Sequence, residues 1–466
     1  MTKEHLPLKV VRGRNRYELG VSEAEAAGPG ARAMTRWLSR SMRHDPDALD
    51  TVLRAARTRV EQLAGTEHLA ELEGFAATLG LDTHDALCAR VAAESCARLA
   101  CTNFGAVGPA TADGEPMVSW NFDVPPVFRL FMGRFPLFVR HLEGTNPYVC
   151  FGVPALFGIG IMNAAGLCCV VNAVPMTDAG DGLSPFELNN TAMETCATVD
   201  GAEEVFNRGP RGVISALASG VLMNWNTIWT DAAGSLSVFE YSHSHFHRRR
   251  AGDEGIMAST NHHQFLDSAL SGCPDPTVLD WLHGSRSRLA RMWALLRGFH
   301  GRIDPAHAKM IVSDHVPDYS TLSDFGIRRE WWEEKLDDCT ICAHAWNFRK
   351  HLREGHPGKA LEEAEVSWTV YSLHVQPANM TVWLTDGHPC RNPTTPVYFG
   401  SALGVDAEPF PGALPRALCG RERVQSGRRG LFRRDMGPVD TAMSGAWMGF
   451  IRATEGYARK KLNPHA

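Results

Sequence analysis

The sequence changes texture at Cys101, and this change constrains the fold more than any other feature. Residues 31–100 are rich in Ala, Leu, Arg and Glu, with apolar positions at helical spacing such as Leu69, Leu72, Phe75, Ala76 and Leu79. Gly80 stops that helix. Asp82 or Thr83 caps the next one, which carries Leu87, Val91 and Leu99 toward a core and runs into Cys101. From Cys101 onward, short apolar or alternating segments are punctuated by Gly, Pro and Asn, the marks of strands and turns.

Residues 149–161 and 166–174 read as adjacent buried strands joined by a turn at Asn163 and Gly166. A helical stretch follows over 189–204, then strands over 236–241 and 256–260 and a helix over 285–299. Residues 367–375 and 381–385 alternate as a hairpin does, with Pro377, Ala378 and Asn379 between them. Helices first, then strands with helices interspersed, predict an α+β chain in which antiparallel sheets are covered by helices. Past about residue 390 the chain is rich in Pro, Gly and Arg and yields no assignable element.

The 466 residues, 44% hydrophobic and 21% charged, can bury a sizeable core. A formal net charge of -5 gives no global attraction to nucleic acid or anionic membrane. No uncharged run approaches the roughly 20 residues that span a bilayer, and the first residues lack the apolar stretch of a secretory signal. The expected location is therefore the cytoplasm, where the 12 cysteines stay reduced. Cys168 and Cys169, inside an apolar run, read as small buried residues.

Ala100, Cys101, Thr102, Asn103, Phe104 and Gly105 begin a strand directly after the helical arm, and Trp120 to Asp123 close the hairpin that follows. A cysteine that becomes N-terminal supplies both nucleophile and base. Its α-amine, with an unperturbed pKa of about 7.7–8.0, accepts a proton near neutrality, while a thiol near about 8.5 is already partly ionised. A lone cysteine taken out of context reads instead as a structural one.

The context is a series of ordered motifs. Cys101-Thr102 followed by Asn121-Phe122-Asp123 resembles the Cys-Thr … Asn-Trp-Asp signature of the acyl-coenzyme A:isopenicillin N acyltransferase family. Glu71 to Ala76 and the helix ending at Ala100 resemble that family's helical propeptide. Residues 163–172 resemble its Asn-x-x-Gly-Leu … Asn segment, and 191–202 the helix after it. The strand ending in Glu240, then Thr260-Asn261-His262-His263, then Val312-Ser313-Asp314-His315, continue the series to about Cys342, and the hairpin at 367–385 matches the closing strands.

The resemblance, over roughly residues 65–390, implies an N-terminal nucleophile hydrolase fold: a four-layer αββα sandwich of two antiparallel sheets. Residues 1–100 are then a helical propeptide, cleaved but retained as a small subunit, and 101–466 the catalytic part. Cleavage falls between Ala100 and Cys101, and Cys101 is also the nucleophile. Asp123 orients the new α-amine, Asn261 and Asn172 offer amide hydrogens to the oxyanion, and Thr102 and Asn121 support the site. Read without the resemblance, Asp123 is a strand-end cap and Asn172 and Asn261 are turn residues.

The implied chemistry forms an acyl-cysteine from an amide, peptide or thioester and passes it to an amine or to water. It needs no metal and no bound organic cofactor; coenzyme A or a carrier thioester enters as co-substrate. The implied partners are the chain's own N-terminal fragment and small-molecule acyl donors and amine acceptors, with no nucleic acid or membrane. A pure amidohydrolase of N-acyl compounds and a non-catalytic scaffold are the rival readings.

Three positions depart from the family. Ala100 stands where Gly is usual, and Thr340-Ile341-Cys342-Ala343 replaces a Ser-x-Cys-Arg segment, leaving His344 or Arg349 as stand-ins for its arginine. Trp120 stands where bile-salt and penicillin V hydrolases carry an arginine, which argues against their substrates. His243, His245 and His247 alternate and could share a strand face as metal ligands do, but three arginines follow and a solvated strand end is expected. Cys339-x-x-Cys342 is weak without a second pair. Asp314 and His315 read as structural, and Trp225, Trp229, Trp331 and Trp332 as core.

Overall fold

A computed structural model of the chain describes residues 8–27, 30–42, 66–94, 100–124, 129, 132–133, 135–176, 178, 180, 182–209, 211–212, 214–215, 222–266, 276–318, 340–344, 348–356 and 368–408. Within them, two sheets lie face to face between layers of helix. The first sheet has nine strands in the order β1 (Lys9–Gly13), β4 (Leu137–Leu142), β5 (Tyr148–Val153), β6 (Phe157–Asn163), β7 (Cys168–Met176), β9 (Leu222–Thr230), β10 (Leu236–Tyr241), β11 (Phe246–Arg250), with β8 (Ile214–Ser215) also pairing β9. The second has six: β12 (Ile256–Ser259), β2 (Ala100–Ala106), β3 (Met117–Val124), β13 (Trp368–Gln376), β14 (Thr381–Asp386), β15 (Thr394–Tyr398). Among the described strands only β1 and β4 run parallel.

The inner strands β2, β3 and β7 are buried at every position, which is why their sequences read as continuous runs rather than alternating ones. β7 and β9 of the first sheet face β2 and β3 of the second. Phe151 of β5 bridges the sheets, its ring 4.9 Å from those of Trp120 and Phe122 and 5.6 Å from Tyr371. Gly105 lets the sheets approach, since a Cβ there would lie 2.5 Å from Leu236 Cδ1.

Helices cover both outer faces. Among the described residues four helices, α1 (Arg16–Ala27), α2 (Gly30–Met42), α3 (Thr66–Leu79) and α4 (Thr83–Glu94), precede β2. α5 (Pro185–Thr195) and α6 (Val199–Arg208) pack on the first sheet, Asn189 of α5 bonding both polar groups of Gly160 in β6. α7 (Pro276–Gly298) and α8 (Pro305–Val312) cover the second sheet, where Met292, Leu296 and Ile311 close on Phe104, Met117 and Ile256. The short α9 (Phe348–Arg353) and α10 (Gly400–Leu403) are the remaining α-helices among the described residues. The layering is the αββα sandwich expected.

Several local expectations change. Residues 149–161 form two strands, because the chain reverses at Pro154-Ala155-Leu156, with Ala155 at φ 61°. The helix expected over 189–204 is two, separated at Cys196 and restarted by Thr198, whose side chain accepts from Gly201 N. α7 begins nine residues before the expected helix, β9 had no strand signal, and β15 lies in the stretch past 390 that the sequence left unassigned. α3 ends at Gly80 as expected, with φ 59° and Leu81 N bonded to Ala76 O at 2.9 Å. The join from α4 into Cys101, with Leu99, lies outside the described residues, as do Trp331, Trp332 and Cys339. Among the described residues no helix is long and apolar enough to cross a membrane.

The N-terminal segment contributes more than helices: β1 adds a strand beside β4, at Lys9↔Phe138. It is further tied to the sandwich by buried charges. Arg140 of β4 donates to Glu23 of α1 at 2.7 Å and to Glu71 of α3 at 3.0 Å, while Arg16 of α1 donates to Glu71 at 3.1 Å and to Glu194 of α5 at 2.5 Å. Burial pushes the Glu23 carboxyl above the ordinary carboxylate range, whereas at Glu71 burial is outweighed by Arg140 and Arg16 and the carboxyl stays below it. Arg140→Ala leaves two carboxylates buried without this cation and should lower stability by about 3–5 kcal/mol in a denaturant melt. Arg14→Ala, which breaks the exposed Arg14–Glu18 pair, should cause no measurable change; equal effects would refute the buried network's role.

Candidate active site

β2 and β3 pair as Ala100↔Asp123, Cys101↔Phe122 and Thr102↔Asn121, which sets Cys101 on an inner strand with 1% exposure. On its other edge, β12 pairs with β2 only as far as Ser259↔Asn103. The chain then turns at 260–262, and the Asn261 side chain takes the place of the next ladder bond, its Oδ1 accepting from Cys101 N at 3.0 Å. Asn261 Nδ2 donates across the sandwich to Ala173 O of β7 at 2.9 Å.

Arg288 of α7 enters from the outer layer with only 2% exposure. Its Nη1 donates to Cys101 O at 2.7 Å and to Thr102 Oγ1 at 2.9 Å, and its Nη2 to Asn261 Oδ1 at 2.9 Å. The planar guanidinium thus fixes three oxygens at once, a geometry that a lysine ammonium does not reproduce.

The 260–262 turn is held from the first sheet. Asn172 Nδ2 donates to Asn226 Oδ1 at 2.7 Å and to Ser259 Oγ at 2.8 Å, and Asn226 Nδ2 donates to Thr260 O at 2.7 Å and His262 O at 3.1 Å. Both amide hydrogens of Asn172 are therefore engaged within the scaffold. His262 Nδ1 lies 2.7 Å from Ser285 Oγ, and burial pushes its pKa down to about 3, so the imidazole is neutral. Glu240 accepts the backbone N–H groups of Gln264, Phe265 and Leu266, holding the chain just beyond.

Asp123 is buried opposite Ala100, its Oδ1 accepting from Thr369 Oγ1 at 2.7 Å. The Cys101 thiol is pushed up to about 12, first by burial and then by the negative charge of Asp123, against smaller opposing pulls from Trp120, the Asp123 backbone N–H and Arg288. In the continuous chain the thiol is thus protonated at neutral pH. Asn121 turns outward, Nδ2 donating to Val312 O and Ile341 O at 2.9 Å each.

Cys101, Thr102 and Asn261 are thus gathered around Arg288, Asp123 sits one ladder position away, Asn172 acts through Asn226 and Ser259, and Asn121 anchors the outer layer. The residue that sequence reasoning missed is Arg288. It lies in the polar run Ser285-Arg286-Ser287-Arg288, which reads as a solvated helix face, and no signal marks it as buried. Of the two stand-ins for the family arginine, His344 lies against His315, Cys342 and Cys390, and the side chain of Arg349 is outside the described residues. The three alternating histidines do not share a face: His243 meets Arg211 O at 2.7 Å, His245 faces Asp178 at 3.5 Å, and His247 stacks on Phe265. A cleft of about 720 Å³ lined by Arg249, Asp253, Trp293 and Arg297 touches none of the Cys101 cluster.

The nine-stranded and six-stranded sheets, packed between helical layers, make the four-layer αββα sandwich that the motifs implied. Residues 145–316 match the family described as "Acyl-coenzyme A:6-aminopenicillanic acid acyl-transferase", and over that stretch the resemblance read from the motifs is borne out. The stretch holds Asn172, Asn261 and Arg288; Cys101 and Asp123 precede it. No curated protein matches the chain.

Among solved structures, it is similar to a mutant of conjugated bile acid hydrolase from Clostridium perfringens, at 11% identity over 65% of this chain and 93% of that one, with a TM-score of 0.37. It is also similar to penicillin V acylase from Agrobacterium tumefaciens, at 13% identity over 64% of this chain and 86% of that one, with a TM-score of 0.32.

Arg288→Met keeps much of the bulk and removes all three donated bonds. Stability should fall by about 1–3 kcal/mol for the buried acceptors left behind, read by thermal melt. Arg291→Met, on the same helix but in the more exposed pair with Asp314, should cost clearly less. A melt of Arg288→Met within error of the unmodified protein would remove Arg288 as the group that holds Cys101.

Proposed function

We propose that this chain is a cysteine N-terminal nucleophile enzyme that cuts itself between Ala100 and Cys101 and then uses Cys101 to move acyl groups. The observation that carries this reading is the grip on Cys101 itself: its N–H is held by Asn261 and its carbonyl by Arg288, leaving the thiol beside its own amide.

In self-cleavage the Cys101 sulfur attacks the Ala100 carbonyl carbon. The C–N bond breaks, the thiol proton passes to the departing nitrogen, and a thioester forms; water then hydrolyses it to the Ala100 carboxylate and the free thiol. The cut replaces a neutral amide by an α-amine, the base that the protonated, buried thiol lacks. Asn261 Oδ1 orients that amine at the position where it now accepts the amide N–H. The atom of Asn261 that meets Cys101 is its carbonyl oxygen, while Nδ2 donates to Ala173 O. Asp123, opposite Ala100, favours the amine in its protonated form after it has taken the thiol proton.

In turnover the thiolate attacks an amide, peptide or thioester carbonyl, the leaving group takes the proton from the α-amine, and an amine or water then attacks the acyl-cysteine. Coenzyme A or a carrier thioester serves as acyl source, no metal or organic cofactor takes part in these steps, and a small natural-product-like substrate and a cytoplasmic location complete the reading. The 1–100 fragment stays bound, as β1 and the buried ion network support. Product analysis with an added amine acceptor separates transfer from hydrolysis.

Purified protein should run as fragments of 100 and, from 466 residues less 100, 366 residues, the larger beginning Cys-Thr-Asn-Phe on Edman sequencing. Cys101→Ala should remain one uncut chain; normal cutting in that variant would point to an outside protease. Asn261→Ala, shown first to carry a free Cys101, should lose about 100-fold in turnover through misplacement of the amine, with the larger loss in kcat. Unchanged turnover would take Asn261 out of the site.

A further inference from the structure

Behind Asp123, three segments far apart in sequence bring four metal-binding side chains to one point. His315 follows α8, Cys342 and His344 lie in the 340–344 stretch, and Cys390 lies in the connection from β14 to β15. One ligand atom from each, an imidazole nitrogen or a sulfur, falls within 4.8 Å of the others. The separations are 3.7 Å between the two sulfurs, 3.1 Å between the two Nε2 atoms, and 3.4 and 3.2 Å from His344 Nε2 to Cys342 Sγ and Cys390 Sγ.

These four values match edges of a zinc tetrahedron, and His315 lies within 4.8 Å of both sulfurs. Zn–S bonds of about 2.3 Å and Zn–N bonds of about 2.0–2.1 Å at tetrahedral angles put sulfurs roughly 3.8 Å apart, nitrogens roughly 3.3 Å apart and unlike pairs roughly 3.5 Å apart. A disulfide between Cys342 and Cys390 requires about 2.05 Å between sulfurs, far shorter than the 3.7 Å found. The outer surroundings fit as well. The His388 ring stacks on His344 at 3.7 Å and 18°, and the Cys342 N–H is pinned to Asp314 O at 3.1 Å.

We propose that His315, Cys342, His344 and Cys390 bind a structural Zn²⁺ ion. Two thiolates with two imidazoles in a closed tetrahedron select zinc over harder divalent cations, and four protein ligands leave no open position for catalysis. The ion clamps the 340–344 segment, whose Ala343 N–H bonds Thr369 Oγ1 at 2.9 Å, and that hydroxyl in turn donates to Asp123. The same segment offers Ile341 O to Asn121. Zinc therefore stiffens the wall behind Asp123 in a chain whose family arginine at Ala343 is replaced.

The proposal needs no acyl chemistry, and its test reads metal, not turnover. Full-length protein purified without chelator should carry stoichiometric zinc by mass spectrometry. After chelator stripping it should take up Co²⁺ with the visible bands of a tetrahedral site and a thiolate-to-cobalt charge-transfer band. Cys390→Ser, at an exposed position that should leave folding intact by circular dichroism, and His315→Ala should each lose both signals. Metal-free protein that takes up neither Zn²⁺ nor Co²⁺, a Cys342–Cys390 disulfide in the peptide map, stoichiometric iron or copper instead of zinc, or full binding retained by both variants would each overturn it.

Discussion

Everything at the candidate site depends on how the main chain of Cys101 is held. An inner strand normally spends its N–H and C=O on neighbouring strands, but β12 stops two residues short of Cys101. Asn261 and Arg288 occupy the gap, and because Arg288 bonds both Cys101 O and Asn261 Oδ1, the two holders are fixed to each other. Ending a ladder early and closing it with side chains leaves a peptide bond that is ordered yet not locked into the sheet on that edge.

The grip spans all the inner layers. Arg288 comes from the helical layer on the second sheet, Asn261 from the turn after β12, and the bonds behind Asn261 run to Ala173, Asn172 and Asn226 in the first sheet. Cys101 on one sheet is therefore aligned by amides on the other, which the close approach permitted at Gly105 makes possible. Asp123 is likewise set through Thr369 and the 340–344 segment.

Much of this was legible in residue order. The switch in texture at Cys101, the stop at Gly80, the turn at Asn163 and Gly166 and the closing hairpin were each marked by local chemistry, and each stands in the fold. The misreadings have separate causes. Residues 149–161 looked like one strand because an apolar run does not reveal where a chain reverses, and β9, which was given no strand, carries Asn224, Asn226 and Thr227 in its middle. Those polar groups are buried, Asn226 being the one that ties down the 260–262 turn. The alternating histidines before Arg248 suggested a shared face that vanishes once 243–245 is a turn rather than strand.

The sequence by itself determined the α+β class of fold from local periodicity, and its short motifs, through the resemblance they carry, marked Cys101, Asp123 and Asn261 as candidates. Only the tertiary structure decided that Arg288 is buried against Cys101, that Asn261 presents its oxygen, that Asn172 acts at second hand, and that His315, Cys342, His344 and Cys390 meet. Such facts arise from sheets and helices packing across intervening stretches of some 29 to 187 residues. A side chain's partners at that distance leave no mark in the pattern of its neighbours, since burial of a polar group is set by what the fold brings against it.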